Sequence, residues 1–128
     1  MLSKSPVAAT LQCRRKNLKA VDGFYAKKLG LKRVAGSPKE GFLSYLAGKK
    51  TEILLFESDA PKSDDTGATF EVADLAREMA TLRKRGVRFE EYDLPGVKTV
   101  HGVAQMGPHA MAWMKDPDGN VLGLYQRE

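Results

Sequence analysis

Two stretches of the chain show the same order of hydrophobic and polar positions. In the first stretch, the apolar and β-prone residues 7–13 predict a strand. Asn17 is a favourable helix N-cap, and Gly30 ends the apolar run that follows it. The apolar residues that recur at helical spacing in this run are Leu18, Val21, Phe24, Tyr25 and Leu29. Three further strands are predicted at residues 31–35, 42–47 and 52–56, with a hairpin turn at 48–50.

The same order returns after a polar segment at residues 58–66, which contains Pro61 and predicts a linker. Residues 67–72 predict a strand, Asp74 is a favourable N-cap, and Gly86 ends the helix. The apolar residues on one face of this helix are Leu75, Met79 and Leu82. Strands are then predicted at residues 87–92, 110–115 and 121–126. A glycine-rich loop over 93–109 separates the first two of them, and a turn at 116–120 joins the last two.

The two stretches are copies of one unit, because Asn17 and Asp74 are 57 residues apart and Gly30 and Gly86 are 56 apart. We therefore predict an α+β fold of two tandem βαβββ modules. The modules are expected to form a curved mixed sheet around a concave cleft, with the helices on the convex side. The chain, residues 1–128, is interpreted as a single domain. Module one spans about 7–57, the linker 58–66, and module two about 67–126.

Alternation along the outer strands predicts one apolar face and one mixed face. The helix-facing set is Leu11, Cys13, Ile53, Leu55, Ala68, Phe70, Val72, Leu122 and Leu124. The opposite set is Thr10, Gln12, Leu54, Phe56, Gly67, Thr69, Glu71, Gly123 and Tyr125. The mixed face indicates either a half-solvated sheet or a small-molecule pocket. Aromatic walls for such a pocket would come from Tyr45, Phe56, Trp113 and Tyr125, and the alternative role of these side chains is core packing.

Composition and charge narrow the function classes. With 42% hydrophobic and 29% charged residues, the 128-residue chain is neither disordered nor collagen-like. Since no apolar run approaches the roughly 20 residues of a membrane helix and no signal segment is present, we expect a cytoplasmic protein without a membrane partner. Residues 1–50 hold 12 Lys and Arg but 2 Asp and Glu, whereas residues 51–128 hold 9 and 14. This asymmetry indicates an anionic partner, mutual attraction of the modules, or merely solvated faces. A nucleic-acid partner is not expected, because no recognition helix or stacking platform is evident.

Few side chains suggest covalent or acid–base chemistry. Cys13, the single cysteine, excludes an intramolecular disulfide, and its place in the helix-facing set predicts a buried, inert thiol. His101 and His109 lie in the long loop or at its end, and one interpretation makes both of them surface histidines. The alternative for His109 is a general base paired with Glu90 or Glu91. The candidates for a catalytic role are His109 and Glu71. The residues 14–16 (RRK) before the first helix could bind an anion.

Several short motifs follow one another in a fixed order along the two modules. They are Phe24-Tyr25 with Leu29-Gly30-Leu31, residues 70–75 (FEVADL), Gly86-Val87, Ala112-Trp113 and residues 116–122 (DPDGNVL). In order and spacing these motifs resemble the vicinal oxygen chelate superfamily, which includes glyoxalase I, extradiol dioxygenases, fosfomycin-resistance enzymes and bleomycin-resistance proteins. The resemblance spans about residues 7–126 and implies the tandem fold described above. It also implies a homodimer, as in the drug-sequestering members of the superfamily.

Enzymes of this superfamily hold a divalent metal with up to four side chains, usually His, Glu or Gln. Aligned on the motifs, the four positions fall on Thr10, Leu54, Gly67 and Gly123, none of which is a competent ligand. The resemblance therefore implies no metal at the usual positions and no cofactor. An alternative ligand set on the same face consists of Gln12, Glu52 and Glu71.

The leading interpretation is a glyoxalase/bleomycin-resistance-like protein that lacks the metal ligands and binds a small hydrophobic or aromatic molecule, sequestering a drug or metabolite. The expected ligand-binding residues are Thr10, Gln12, Leu54, Phe56, Thr69, Glu71, Trp113 and Tyr125. The alternative is a metal-dependent lyase, isomerase or dioxygenase of the same superfamily that uses non-standard ligands. A third interpretation is an interaction module that acts through its basic first half.

Overall fold

The computed structural model describes residues 2–127 and divides into two compact units, Met1–Ser63 and Asp64–Glu128. The first unit contains strands β1 (Ala8–Cys13), β2 (Lys32–Ser37), β3 (Phe42–Ala47) and β4 (Thr51–Glu57), with helix α1 (Leu18–Gly23) between β1 and β2. A 3₁₀ turn at Arg15–Asn17 precedes α1 and a π-helical turn at Phe24–Lys28 follows it. A second 3₁₀ turn at Pro38–Glu40 links β2 to β3.

The strands of the first unit form one sheet in the order β1-β4-β3-β2, with β1 parallel to β4 and the other neighbours antiparallel. One face of this sheet is covered by the helical segment, as the stacked rings of Tyr25 and Tyr45 show at a centroid distance of 5.4 Å. The buried apolar side chains between them are Leu11, Cys13, Leu18, Val21, Phe24, Tyr25, Leu43, Tyr45, Ile53 and Leu55. The predicted burial of Cys13 is therefore confirmed.

A polar contact in this core ties the helix to the sheet. The Tyr45 hydroxyl donates to one carboxylate oxygen of Asp22, and Arg33 donates to the other at 3.0 Å. Burial, and then the hydrogen bond to Asp22, raises the pKa of Tyr45 above its ordinary value. Tyr45 therefore stays protonated and remains a donor to Asp22.

Asn17 occupies the N-cap position of α1, as the sequence predicts, but its side chain makes no capping hydrogen bond. Its backbone N–H donates to the carbonyl of Arg14 at 2.9 Å, which closes the 3₁₀ turn. Asn17 thus has near-helical dihedral angles (φ −104°, ψ −3°), and the helical segment begins earlier, at Arg15. The side chain does not cap the helix because a 3₁₀ turn in front of an α-helix leaves the residue at the junction already inside the helical path.

The second unit contains β5 (Thr66–Glu71), α2 (Leu75–Lys84), β6 (Asp93–Leu94), β7 (Val97–Lys98), β8 (Ala104–Met106), β9 (His109–Lys115) and β10 (Val121–Gln126). Its main sheet has the order β5-β10-β9-β8, with β5 parallel to β10, while β6 and β7 form a separate hairpin. Asp74 accepts a hydrogen bond from the backbone N–H of Arg77 at 3.1 Å, which confirms this N-cap. The apolar core between α2 and the sheet is Leu75, Met79, Leu82, Val87, Ala110, Ala112, Met114, Leu122 and Leu124.

The strand predicted at residues 87–92 is wrong. Phe89 makes only an isolated bridge with Met114, and the Glu90 N–H donates to the Trp113 carbonyl at 2.8 Å. The third strand of this module is β8, which lies inside the predicted loop and pairs with the first residues of β9. The Phe89–Glu90 segment and β8 therefore both lie along one edge of β9. With β8 as the third strand of the second module, the α+β class and the two tandem βαβββ modules are confirmed.

The turn at residues 116–120 is held by a buried carboxylate. Asp116, 4% exposed, accepts hydrogen bonds from the backbone N–H groups of Asp118 and Asn120, both at 2.9 Å, and from the Asn120 side-chain amide at 2.8 Å. Gly119 has φ +88°, a conformation that favours glycine. This turn sets the register of β9 against β10.

The predicted alternation is largely confirmed, since Leu11, Cys13, Ile53, Leu55, Leu122 and Leu124 are all buried. The longest described helix, α2, has ten residues, and none of the described helices has the length and hydropathy that a membrane-crossing segment needs.

Candidate functional site

A second, smaller cluster of apolar side chains lies on the face of the second sheet opposite α2. In β9, Ala112 and Met114 belong to the α2-side core, so strand alternation places Trp113 on the other face. Trp113 is 9% exposed there and packs with Ala104 and Val121. Tyr92 and Val97, from the segment that precedes β8, pack against this cluster. The Tyr92 ring meets the Trp113 ring edge-on, with centroids 5.4 Å apart.

An open cleft of about 490 Å³ lies beside this cluster, and we refer to it as the Trp113 cleft. Its apolar wall consists of Tyr92, Leu94, Val97, Trp113 and Val121, and its polar wall of Asp64, Asp65, Thr66 and Lys115. All of these residues belong to the second unit. The volume falls within the range of small-molecule sites, and the combination of an apolar wall that includes two aromatic rings with a few polar groups is typical of them.

Charged groups surround the polar wall. The Lys115 ammonium lies 3.6 Å from a carboxylate oxygen of Glu90. Burial, followed by the negative charge of Glu90, raises the pKa of the Tyr92 hydroxyl; Asp64 acts in the same direction and Lys115 opposes it. Tyr92 therefore presents a neutral hydroxyl at neutral pH, able to donate as well as accept a hydrogen bond.

Hydrogen bonds to Glu91 hold the segment around the β6–β7 hairpin, which covers Trp113. One carboxylate oxygen of Glu91 accepts hydrogen bonds from the Thr99 hydroxyl at 2.6 Å and from the Gly102 N–H at 2.8 Å. The Tyr92 N–H donates to the same hydroxyl at 2.8 Å. These bonds close the base of the β6–β7 hairpin, which carries Leu94 and Val97 to the cleft. The hydrogen bond from Thr99, then that from Gly102, lowers the pKa of Glu91.

We expect this hairpin to loosen in acid. Because the folded chain lowers the Glu91 pKa below 4.5, the stabilisation is fully present above 4.5 and is lost as the pH falls through the depressed value. An NMR titration should therefore show the Gly102 amide resonance moving with a midpoint below pH 4.5. In Glu91→Gln that titration should be absent. A Gly102 amide that moves identically in both proteins would contradict the assignment.

In the first unit, the predicted ligand-binding residues line one face of the sheet. Thr10 on β1 lies directly opposite Leu54 on β4, and Gln12 lies opposite Phe56. Leu54 is half-buried, while Phe56 is 37% exposed beside the equally exposed Phe42. These four predicted residues are therefore neighbours, as the alternation required, but the Trp113 cleft is formed by other residues.

In the second unit, the predicted residues are divided between two places. Trp113 lines the cleft, whereas Thr69 lies opposite Gly123 and Glu71 opposite Tyr125. The register of β5 shifts so that Thr66 pairs with Val121 and Ala68 with Leu122. Gly67 is consequently the extra residue of a β-bulge, and Thr69 is the residue that faces Gly123.

His109 and Glu71 are linked by a chain of contacts that runs through Tyr125 and Arg127. The Tyr125 hydroxyl lies 3.1 Å from His109 Nδ1, which also contacts the carbonyl of Arg127. The Arg127 guanidinium lies 2.6 Å from Glu71 and over the Tyr125 ring. The structure does not pair His109 with Glu90 or Glu91, the partners that were considered for a general base, because Glu90 pairs with Lys115 and Glu91 with Thr99.

A divalent metal does not fit the residues at the four usual positions. Thr10 and Leu54 occupy adjacent places on β1 and β4, but a leucine has no donor atom and a threonine hydroxyl is a poor one. Gln12 and Glu52 lie four residues apart in register, roughly 13 Å along the strands, and Glu52 accepts a hydrogen bond from Ser44. Among residues 2–127, no three His, Cys, Asp or Glu side chains form a metal-ligating group.

Sequence reasoning found Trp113 but missed the other residues of the cleft. These are Asp64, Asp65, Thr66, Tyr92, Leu94, Val97, Lys115 and Val121. Asp64 and Asp65 belong to the predicted linker, and Leu94 and Val97 to the predicted loop. The available signal was the pair of apolar residues flanking Pro95-Gly96, an arrangement more typical of a short hairpin than of a solvated loop.

Comparison with known proteins assigns most of the chain to one superfamily. The family model described as the Glyoxalase/Bleomycin resistance protein/Dioxygenase superfamily matches residues 9–124. No curated protein sequence matches closely enough to support an argument.

Solved structures extend the similarity to nearly the full length of the chain. A member of the same superfamily from Sphaerobacter thermophilus is 23% identical, with 99% of this chain and 100% of that one covered and a TM-score of 0.72. TnmS3, an antibiotic binding protein from Streptomyces sp. CB03234, is 21% identical over 95% and 96% of the two chains, with a TM-score of 0.69. A lactoylglutathione lyase from Agrobacterium tumefaciens is 16% identical over 97% and 94%, with a TM-score of 0.71. At these identities the similarity establishes the fold and leaves the activity open.

Proposed function

The chain belongs to the Glyoxalase/Bleomycin resistance protein/Dioxygenase superfamily, and we propose that it binds a small aromatic molecule in the Trp113 cleft. The proposal rests chiefly on the cleft itself, about 490 Å³ with Trp113, Tyr92 and Val97 on one wall. Aromatic and aliphatic side chains of this kind stack against flat apolar ligands and bury a large area. The similarity to an antibiotic binding protein supports the same class of function.

We propose a binding role that needs no metal rather than metal-dependent catalysis. Superfamily enzymes use a divalent ion as a Lewis acid, and an ion of that kind needs several oxygen or nitrogen donors around one point. Leu54 and Gly123 supply no side-chain donor, and Gln12 and Glu52 diverge along the sheet. The similarity to a lactoylglutathione lyase keeps the enzyme interpretation as the alternative to be tested.

The binding test can use the protein's own reporter. Trp113 is the single tryptophan, so its fluorescence reports only on the cleft. A library of aromatic metabolites and drugs should contain compounds that shift this emission and raise the thermal midpoint together. If no compound class does both, the proposed function fails. Titration with nickel, zinc, manganese and iron(II) is the companion measurement; stoichiometric uptake with turnover of a substrate would establish the enzyme alternative instead.

We also propose a homodimer, as the resemblance implied. Phe42 and Phe56 face each other across β3 and β4, and each is 37% exposed. Exposed aromatic pairs of this kind commonly become buried when two chains associate. Sedimentation velocity should give twice the 14.1 kDa chain mass at micromolar concentration, and a monomer at all concentrations would refute the dimer.

A further inference from the structure

The hydroxyl of Tyr92 is a hydrogen-bonding group that the fold of the chain leaves unused. The hydrogen bonds of Tyr92 within residues 2–127 are all made by its backbone: the N–H donates to the Thr99 hydroxyl at 2.8 Å, and the carbonyl accepts from the Thr99 N–H at 2.9 Å. The side-chain hydroxyl has no hydrogen-bond partner among these residues. Because a half-buried tyrosine usually pairs its hydroxyl, this one is available to a molecule that enters the cleft.

The ring that carries this hydroxyl is held in place from two sides. It meets the Trp113 ring edge-on, with centroids 5.4 Å apart, and Thr99 fixes the backbone of Tyr92. Glu91 accepts from the same Thr99 hydroxyl at 2.6 Å and from the Gly102 N–H at 2.8 Å, which fastens the segment. A group that is positioned before a ligand arrives loses little conformational entropy on binding.

The Tyr92 hydroxyl lies where the apolar wall of the cleft meets the polar wall. Burial raises its pKa most, Glu90 and Asp64 raise it further, and Lys115 lowers it. Since charges act on a pKa only over short distances, the hydroxyl is near Asp64 and Lys115, which both line the cleft. The Lys115 ammonium is already 3.6 Å from a carboxylate oxygen of Glu90. The neutral hydroxyl of Tyr92 is therefore a donor available to an uncharged oxygen atom of a ligand.

We propose that Tyr92 determines the specificity of the Trp113 cleft by donating a hydrogen bond to an uncharged oxygen of the ligand, such as the carbonyl of an aromatic ketone. The inference rests on the proposed function and adds one polar contact to it. The ring system of the ligand packs against Trp113 and Val97, and its oxygen lies toward the Tyr92 hydroxyl. An aromatic hydrocarbon of the same shape has no acceptor and forfeits this contact.

Two naphthalene probes of nearly the same shape test the contact. They are 2-acetylnaphthalene and 2-isopropenylnaphthalene, which differ only in a C=O group against a C=CH₂ group. Because the chain has one tryptophan, the indole N–H resonance of Trp113 in a nitrogen-15-labelled sample reports binding in the cleft. The ketone should bind about fivefold more tightly than the hydrocarbon, as one neutral hydrogen bond implies.

A pair of tyrosine variants provides the matched test. In Tyr92→Phe, which removes the hydroxyl and keeps the ring, the ratio of the two dissociation constants should fall to about one. Tyr125→Phe removes a hydroxyl that lies 3.1 Å from His109 Nδ1 and outside the lining of the cleft, so the fivefold ratio should remain. Far-UV circular dichroism verifies that each variant is folded. If Tyr92→Phe does not fold, the infrared carbonyl band of the ketone bound to the unaltered chain gives a second test, and it should lie below its position in hexane.

The outcomes separate the hydrogen bond from the proposed function. A ketone that binds no more tightly than the hydrocarbon, a preference that survives in Tyr92→Phe, or a carbonyl band at its hexane position would each overturn the role of Tyr92 and leave aromatic binding intact. An indole resonance that neither probe moves up to its solubility limit would overturn the proposed function, and the role of Tyr92 with it.

Discussion

Trp113→Ala is expected to destabilise the chain by about 3–5 kcal/mol and to abolish binding in the Trp113 cleft. The side chain is 9% exposed and packs with Ala104, Val121 and Tyr92, so its removal leaves a cavity under the hairpin. Urea denaturation followed by circular dichroism measures the loss of stability, and calorimetry with an aromatic probe measures the loss of binding.

Two companion variants separate packing from ligand contact. Trp113→Phe keeps an aromatic ring and should recover most of the stability. Leu94→Ala alters a cleft residue that is 57% exposed, so it should weaken binding with a stability change within about 0.5 kcal/mol. Stability equal to that of the unaltered chain in Trp113→Ala would mean that this second cluster contributes nothing to folding.

Asp116→Ala is expected to cost about 3 kcal/mol, the largest effect of a single polar substitution in the second unit. The buried carboxylate accepts three hydrogen bonds, two from backbone N–H groups and one from Asn120. Hydrogen bonds to a charged group are stronger than neutral ones, and the alanine leaves these buried donors without their acceptor.

Two further variants of this turn provide comparisons for the stability loss of Asp116→Ala. Asp116→Asn retains one carbonyl acceptor and should lose about half as much stability. Pro117→Ala, in the same turn but exposed, should change stability by less than about 1 kcal/mol. A loss below 1 kcal/mol in Asp116→Ala would show that the turn adopts its conformation without the carboxylate.

The repeat and the face assignments could be predicted from sequence because both depend on local periodicity. Residues such as Leu55 and Leu124 alternate with polar neighbours, and alternation fixes the face of a strand wherever that strand lies in the sheet. The Asp74 cap is local in the same way, since its hydrogen bond spans three residues.

The candidate site could be predicted only in part, because most of it is made by a segment without periodicity. Trp113 lies on a regular strand, but Tyr92, Leu94 and Val97 reach it through a hairpin whose closure depends on Glu91 and Thr99. No spacing rule links a glutamate to a hydroxyl eight residues away and a backbone amide eleven away. The error at residues 87–92 has the same origin, since the β-prone residues there contact β9 at one bridge while β8 pairs with the other end of the same edge.

The parallel pairings have a consequence for the order of folding during synthesis. In each unit the first strand pairs with the last, β1 with β4 and β5 with β10. The first sheet can close once Glu57 has left the ribosome, while the second must wait for Val121–Gln126. Thr66 and Val121, which are brought together by that final pairing, both line the Trp113 cleft. The cleft therefore cannot form before β10 has been synthesised.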